Sequence, residues 1–156
     1  MPQTTRPTRH IQAPPEHVYR LLLDRHAVQH WKVPDGMSSE VHVFEPRLGG
    51  AFRVSLTYVS PDAQGKTSAH TDTYHGHFVS LVPGSLVVEA VEFETADPSM
   101  AGRMTITYTL SPSAGGTDLL AVHEGLPDGV SAADNELGWR MSLDKLAALA
   151  ESPRRA

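Results

Sequence analysis

The end of the chain carries its one long helical pattern, and whatever precedes it has to supply a surface that buries that helix. Between Val130 and Glu151, the residues Trp139, Leu143, Leu146 and Ala150 fall at i, i+4, i+7 and i+11, one face of a helix. Leu137, Met141 and Ala148 widen this face, so most of the cylinder calls for burial. Ser131 suits the N-cap position, and Asp134 three residues on makes a weak capping box. Asp134 and Glu136 also lie at the positive end of the helix dipole, and Pro153 ends the pattern ahead of an Arg154-Arg155 tail.

Most of the chain ahead of that helix reads as strand. A short edge strand fits Thr8–Gln12, where the nearby Pro7 is tolerated. Ala13-Pro14-Pro15-Glu16 opens a first short helix reaching Leu23, and Asp24 caps a second that holds Ala27, Val28 and Trp31. Pro34-Asp35-Gly36 is a turn, after which the period changes from helical to alternating. Strands are predicted over Val41–Glu45, Phe52–Tyr58, Thr67–Val82 with a bulge near Gly76, Leu86–Thr95, Met104–Leu110 and Asp118–Gly125. The loops between them, including the polar Ser60–Lys66, are of hairpin length, which implies antiparallel neighbours. The expected architecture is α+β: a curved antiparallel sheet of six or seven strands wrapped around the long C-terminal helix, with two short helices after the first strand. It is expected as one domain over residues 5–152, with flexible ends at 1–4 and 153–156.

Composition removes several classes of function. A formal net charge of −5 without a basic block argues against a nucleic-acid footprint. The absence of cysteine excludes disulfides, thiolate catalysis and cysteine-ligated metal, and is compatible with a reducing, cytoplasmic setting. No apolar run is long enough to span a bilayer, and Met1–His10 lacks the apolar core of a signal peptide. Phosphate-cradling glycine loops, nucleophile elbows and His-Glu-x-x-His helices do not occur.

The stretch Ile11-Gln12-Ala13-Pro14-Pro15-Glu16-His17-Val18-Tyr19 resembles the opening of the START-like (SRPBCC, helix-grip) superfamily. Trp31, Leu48-Gly49-Gly50-Ala51-Phe52-Arg53, and Gly76 followed by Pro83 and Leu86 fall where its activator-of-heat-shock-protein-90-ATPase-like branch has them. So do Gly116-Thr117-Asp118-Leu119, His123-Glu124-Gly125, and Gly138-Trp139 with Leu143 and Leu146. The resemblance spans nearly the whole chain and rests on order and spacing. It implies a sheet gripping the C-terminal helix with a cavity between them, and it implies that the Leu119–Ala121–His123 face of the last strand looks into that cavity. Members bind small apolar molecules, cyclise polyketides or, in eukaryotes, contact heat-shock protein 90.

On that frame the candidate ligand-binding residues are Trp31, Met37, Phe52, Tyr58, Tyr108, His123, Leu137 and Met141. Trp31, at the end of a short helix that the family places over the cavity mouth, is expected with Met37 to gate the pocket. Phe52 is first of all a core residue, whereas Tyr58 and Tyr108 have polar tips suited to a cavity wall. His123 reads as a structural imidazole or as a hydrogen-bonder and base, with Asn135 or Glu136 within sequence reach as partners. Glu89, Glu92 and Glu94 interrupt an apolar strand, so one acid falls among apolar neighbours whichever face is buried. Arg53 reads as solvated, or as a partner for one of these acids if a bulge reverses the faces. His70, Asp72, His75 and His77 cluster along one strand, but lack metal-ligand spacing and read as surface residues.

The expected function is a cytoplasmic binding protein that holds a small, largely apolar or amphipathic ligand between sheet and helix, without cofactor, metal or catalytic group. Two alternatives stay open. One is a polyketide-cyclase-like or hydrolytic enzyme using a cavity His and Glu, and the other a chaperone-contacting, stress-response protein. A homodimer through an edge strand or the cavity rim fits the sequence as well as a monomer does.

Overall fold

A computed structural model of the chain describes residues 3–59 and 71–152. In order its elements are β1 (Gln3–Thr5), β2 (Thr8–Ile11), α1 (Pro15–Leu22), α2 (Arg25–Trp31), β3 (Met37–Phe44), β4 (Ala51–Tyr58), β5 (Thr71–Val82), β6 (Leu86–Phe93), β7 (Met104–Ser113), β8 (Gly116–Leu126) and α3 (Ala132–Glu151). All strands pair antiparallel, in the order β1-β8-β7-β6-β5-β4-β3, with β2 also on β8. The predicted loop Ser60–Lys66, the start of the Thr67–Val82 strand with His70, and the predicted ends at 1–2 and 153–156 lie outside the described residues.

The eight strands occupy seven places in the sheet, because β1 and β2 lie end to end along β8. Thr5 faces His123 and Thr8 faces Leu120. Between them Pro7 has no N–H to give, yet its carbonyl accepts from the Ala121 N–H at 3.0 Å. Gln3, paired with Leu126, thus belongs to the sheet, where the sequence predicted a flexible end through residue 4.

Register shifts fall at His42 in β3, at Val79 in β5, and in β8 between His123 and Leu126, where it faces β1. Each inserts a residue and bends its strand, which curls the sheet around α3. The bulge predicted at Gly76 therefore lies three residues further on. Gly76 serves close approach instead: a Cβ there would collide with the Ala90 carbonyl oxygen and reach 2.7 Å from the Phe52 ring.

The inward face of the sheet carries Val87, Glu89 and Val91 on β6, Met104, Ile106, Tyr108 and Leu110 on β7, and Leu119, Ala121 and His123 on β8, all buried except for accessible edges. Against them α3 turns Trp139, Leu143, Leu146 and Ala150, the predicted stripe, together with Ser142 and Ala147. Leu137 and Ala148, predicted to widen that face, are exposed instead. Local signals set the helix ends: Asp24 accepts from the Ala27 N–H at 3.1 Å, and Ser131 from the Asp134 N–H at 3.2 Å. Lys145 fastens α3 to the turn after α2, donating to the Val33 carbonyl at 2.6 Å and pairing with Asp35 at 3.1 Å. At the β3 edge, α2 covers Val41, whose N–H is taken by Gln29 Oε1 and whose carbonyl is taken by Arg25 Nη2.

Replacing Gly76 by Ala pushes the backbones of β5 and β6 apart or displaces Phe52. The expected cost is about 3 kcal/mol, seen as a lower urea midpoint at unchanged m-value. A variant as stable as the parent protein would show that no close approach constrains this position.

Candidate functional site

A cavity of about 550 Å³ separates the sheet from the N-terminal half of α3. Its origin is local. The cavity-facing positions Gly138 and Ser142 carry almost no side chain, whereas Leu143, Leu146 and Ala150 further along fill the gap to the rest of the fold. The sheet side is built from Leu56 and Tyr58 of β4, Asp72 and Tyr74 of β5, Val91 and Phe93 of β6, Met104 and Ile106 of β7, and His123 of β8. Asn135, Leu137, Trp139 and Met141 form the helix side, and Lys32, Pro34, Asp35 and Met37 close one end. Asp35, Asp134 and Leu137, the last 55% exposed, mark the mouth.

Of the residues predicted to bind ligand, Met37, Tyr58, His123, Leu137 and Met141 stand on the cavity wall. Trp31, Phe52 and Tyr108 instead form an aromatic layer in the core. Trp31 is 1% exposed, donates its indole N–H to the Leu21 carbonyl at 3.4 Å, and meets Tyr108 edge-on at 6.3 Å. It cannot gate a mouth, because α2 turns Ala27, Val28 and Trp31 together into the core, where the indole gains most from burial. Phe52 is wedged between Tyr74 and Phe78, and Tyr108 between Trp31 and Trp139.

His123 is held by its neighbours in one protonation state. Its Nδ1 accepts the Trp139 indole N–H at 2.9 Å and lies 3.3 Å from Asn135 Nδ2, whose own amide oxygen accepts from Thr5 Oγ1 at 2.7 Å. Since Nδ1 accepts, the proton sits on Nε2, directed at Met104 Sδ 3.1 Å away. Burial, helped by the charge of Lys32, lowers the His123 pKa to about 4. This imidazole is neutral at ordinary pH and already engaged at both nitrogens.

The residue that sequence reasoning missed is Lys32. Its ammonium pairs with Glu89 at 2.8 Å, the two side chains being only 12% and 5% exposed. It also lies 5.5–5.8 Å from the ring centres of Phe52, Tyr74 and Tyr108. Burial, the largest single influence, works against the charge on Lys32, but Glu89 together with Tyr108 and Tyr74 outweighs it and holds the ammonium well above its usual pKa. Burial pushes the Tyr108 hydroxyl well up. That hydroxyl has no partner at ideal hydrogen-bonding geometry, and Lys32, close beside it, opposes the rise through its charge and its N–H donors. The sequence held one clue: Glu89 is the acid on the buried face of β6, and a buried carboxylate requires a cation.

Asp72, expected at the surface, is instead buried on the cavity wall, whereas Arg53, Glu94 and His75 lie on the outer face of the sheet. Arg53 grips Glu94 with two bonds of 2.8 and 2.9 Å, without any reversal of faces, and His75 joins the same carboxylate at 3.0 Å. Among the described residues, no three His, Asp or Glu side chains gather as a metal site.

A family model described as Activator of Hsp90 ATPase homolog 1-like protein matches residues 12–151. A crystal structure from Chromobacterium violaceum is similar at 35% identity and a TM-score of 0.87, over 96% of this chain and 98% of that one. An AHSA1 protein from Silicibacter pomeroyi shares 20% identity at a TM-score of 0.76, over 94% and 96% of the two chains. DynU16, described as a protein in the dynemicin biosynthetic locus, shares 18% identity at a TM-score of 0.66, over 96% of this chain and 47% of its own. The last two likenesses concern the fold alone. Curated proteins offer no match.

The lowered pKa of His123 carries a pH signature. Unfolded, the imidazole titrates near 6.5, and folded near 4, so its contribution is complete above pH 6.5 and is lost as the pH falls toward 4. Over that window the loss amounts to about 3 kcal/mol. Urea unfolding of the parent protein and of His123→Gln should show a stability gap that narrows on acidification. A constant gap would mean that His123 protonates freely within the fold.

Proposed function

The chain belongs to the Activator of Hsp90 ATPase homolog 1-like family, and from that premise we propose that it is a binding protein for a small, largely apolar ligand. The supporting observation is the cavity of about 550 Å³ between sheet and helix, a volume in the range of small-molecule sites. Leu56, Val91, Phe93, Met104, Ile106 and Met141 supply its apolar wall, and the methionines can adapt to a range of shapes. The buried polar groups His123 and Lys32 on the wall are already engaged by neighbours, as suits a site that positions a ligand rather than reacts with it.

An enzymatic role for His123 with a strand glutamate has less support. The lone pair of Nδ1 is taken by Trp139, and Glu89 is bound by Lys32. A base also works best with a pKa near the operating pH, whereas that of His123 is about 4. Contact with a chaperone is a second reading, favoured by the family's name. It would use an outer surface and leave the cavity free.

The test is titration with N-phenyl-naphthylamine, a neutral fluorophore whose emission rises in apolar surroundings. The parent protein should bind it at one site. Met141→Trp, which fills a half-exposed position on the wall, should weaken binding about tenfold or more, because overfilling a site displaces its ligand. Equal binding by the two proteins would place the apolar site elsewhere and refute the proposal.

A further inference from the structure

We propose that the cavity selects hydrophobic molecules that carry an uncharged carbonyl oxygen, and that the ammonium of Lys32 is the donor that holds this oxygen. The inference rests on the cavity being the ligand site, and adds to it the chemistry of the head group.

An ammonium has three N–H donors. Among the described residues Lys32 has one hydrogen-bond acceptor, Glu89 Oε1 at 2.8 Å. Its other surroundings are the rings of Phe52, Tyr74 and Tyr108, which attract the charge but are no substitute for an oxygen acceptor, and the Tyr108 hydroxyl, which lies off good hydrogen-bonding geometry. The accessible part of the side chain lines the cavity, so the remaining donor capacity is available there. A donor with charge behind it, in apolar surroundings, gains most from an acceptor brought in by the ligand.

The same surroundings disfavour an anion. Glu89 already balances the charge of Lys32. Asp35, Asp72 and Asp134 line the cavity, whereas Lys32 is the only lysine or arginine among its described lining residues. A ligand carboxylate would bring a second negative charge to an ammonium that Glu89 already neutralises, beside the exposed Asp134 at the mouth. A ketone or ester oxygen accepts from Lys32 without that repulsion, while the body of the molecule lies against Leu56, Phe93, Met104 and Met141.

Three probes of matched shape separate the terms: acetylnaphthalene, ethylnaphthalene and naphthoate, substituted at the same ring position and read by displacement of N-phenyl-naphthylamine. The parent protein should bind the ketone about tenfold more tightly than the ethyl compound, the size of one hydrogen bond to a charged donor, and more tightly than the carboxylate. The paired variant Lys32→Met with Glu89→Leu removes both charges together, so neither is left uncompensated. It should bind ketone and ethyl compound alike. Infrared spectra of the bound ketone should show the carbonyl stretch at lower frequency in the parent protein than in apolar solvent, a readout that needs no variant. Equal binding of ketone and ethyl compound, or preference for the carboxylate, overturns the inference and leaves the cavity as the site. Failure of all three to displace the fluorophore overturns the cavity reading as well.

Discussion

Trp139 joins the two layers of the fold beside the cavity that separates them. Its ring meets Tyr108 edge-on at 5.8 Å, and its indole N–H is given to His123 at 2.9 Å. One side chain thus combines the apolar burial that holds α3 in the sheet with a directed bond that fixes the position of the helix. An amphipathic stripe alone would let the helix slide or rotate, because hydrophobic attraction has no direction. With Trp139 anchored, the small residues Gly138 and Ser142 are held away from the sheet and leave the space that the cavity occupies. The bond also decides the chemistry of His123, since an imidazole that accepts at Nδ1 and is buried stays neutral.

The Lys32–Glu89 pair sets the electrostatics of the same space. Taking two charges out of water costs more than a single contact returns, unless the surroundings help. Here the faces of Phe52, Tyr74 and Tyr108 surround the ammonium, so part of the solvation that water would give comes from the rings. Replacing the pair by apolar side chains of similar volume would cost little stability, whereas removing one partner alone would leave the other charge buried and uncompensated. Charge on Lys32 also opposes protonation of His123, so one polar group of the cavity helps to fix the state of another.

Much of this fold was legible in the residues. The α3 stripe, the caps Asp24 and Ser131, and the alternation of Met104, Ile106, Tyr108 and Leu110 are local patterns, and the structure follows them. The site was less legible, because a period of two identifies a buried face without telling what lies opposite. Tyr58 and Tyr108 both sit on inward faces, yet one meets the space left by α3 and the other is packed between two tryptophans. Trp31 was misplaced for the same reason: its helix was found, but the side of α2 that faces the core depends on tertiary packing. Lys32 was missed because a lysine beside a turn is ordinarily solvated. The bulge at Val79 had no signature, since Val79 carries none of the glycine or proline cues that mark irregular strands.

An open sheet presents two rows of unpaired backbone groups, the surface on which strands of separate molecules assemble into aggregates. Both rows are interrupted in this protein. On one side the row is broken at Arg6 and Pro7, where β1 passes into β2. On the other, the bulge at His42 breaks the rhythm of β3, and Arg25 and Gln29 reach from α2 to occupy the carbonyl and N–H of Val41. A curved sheet can therefore hold a cavity open without closing into a barrel, and without offering its rims as a template for growth.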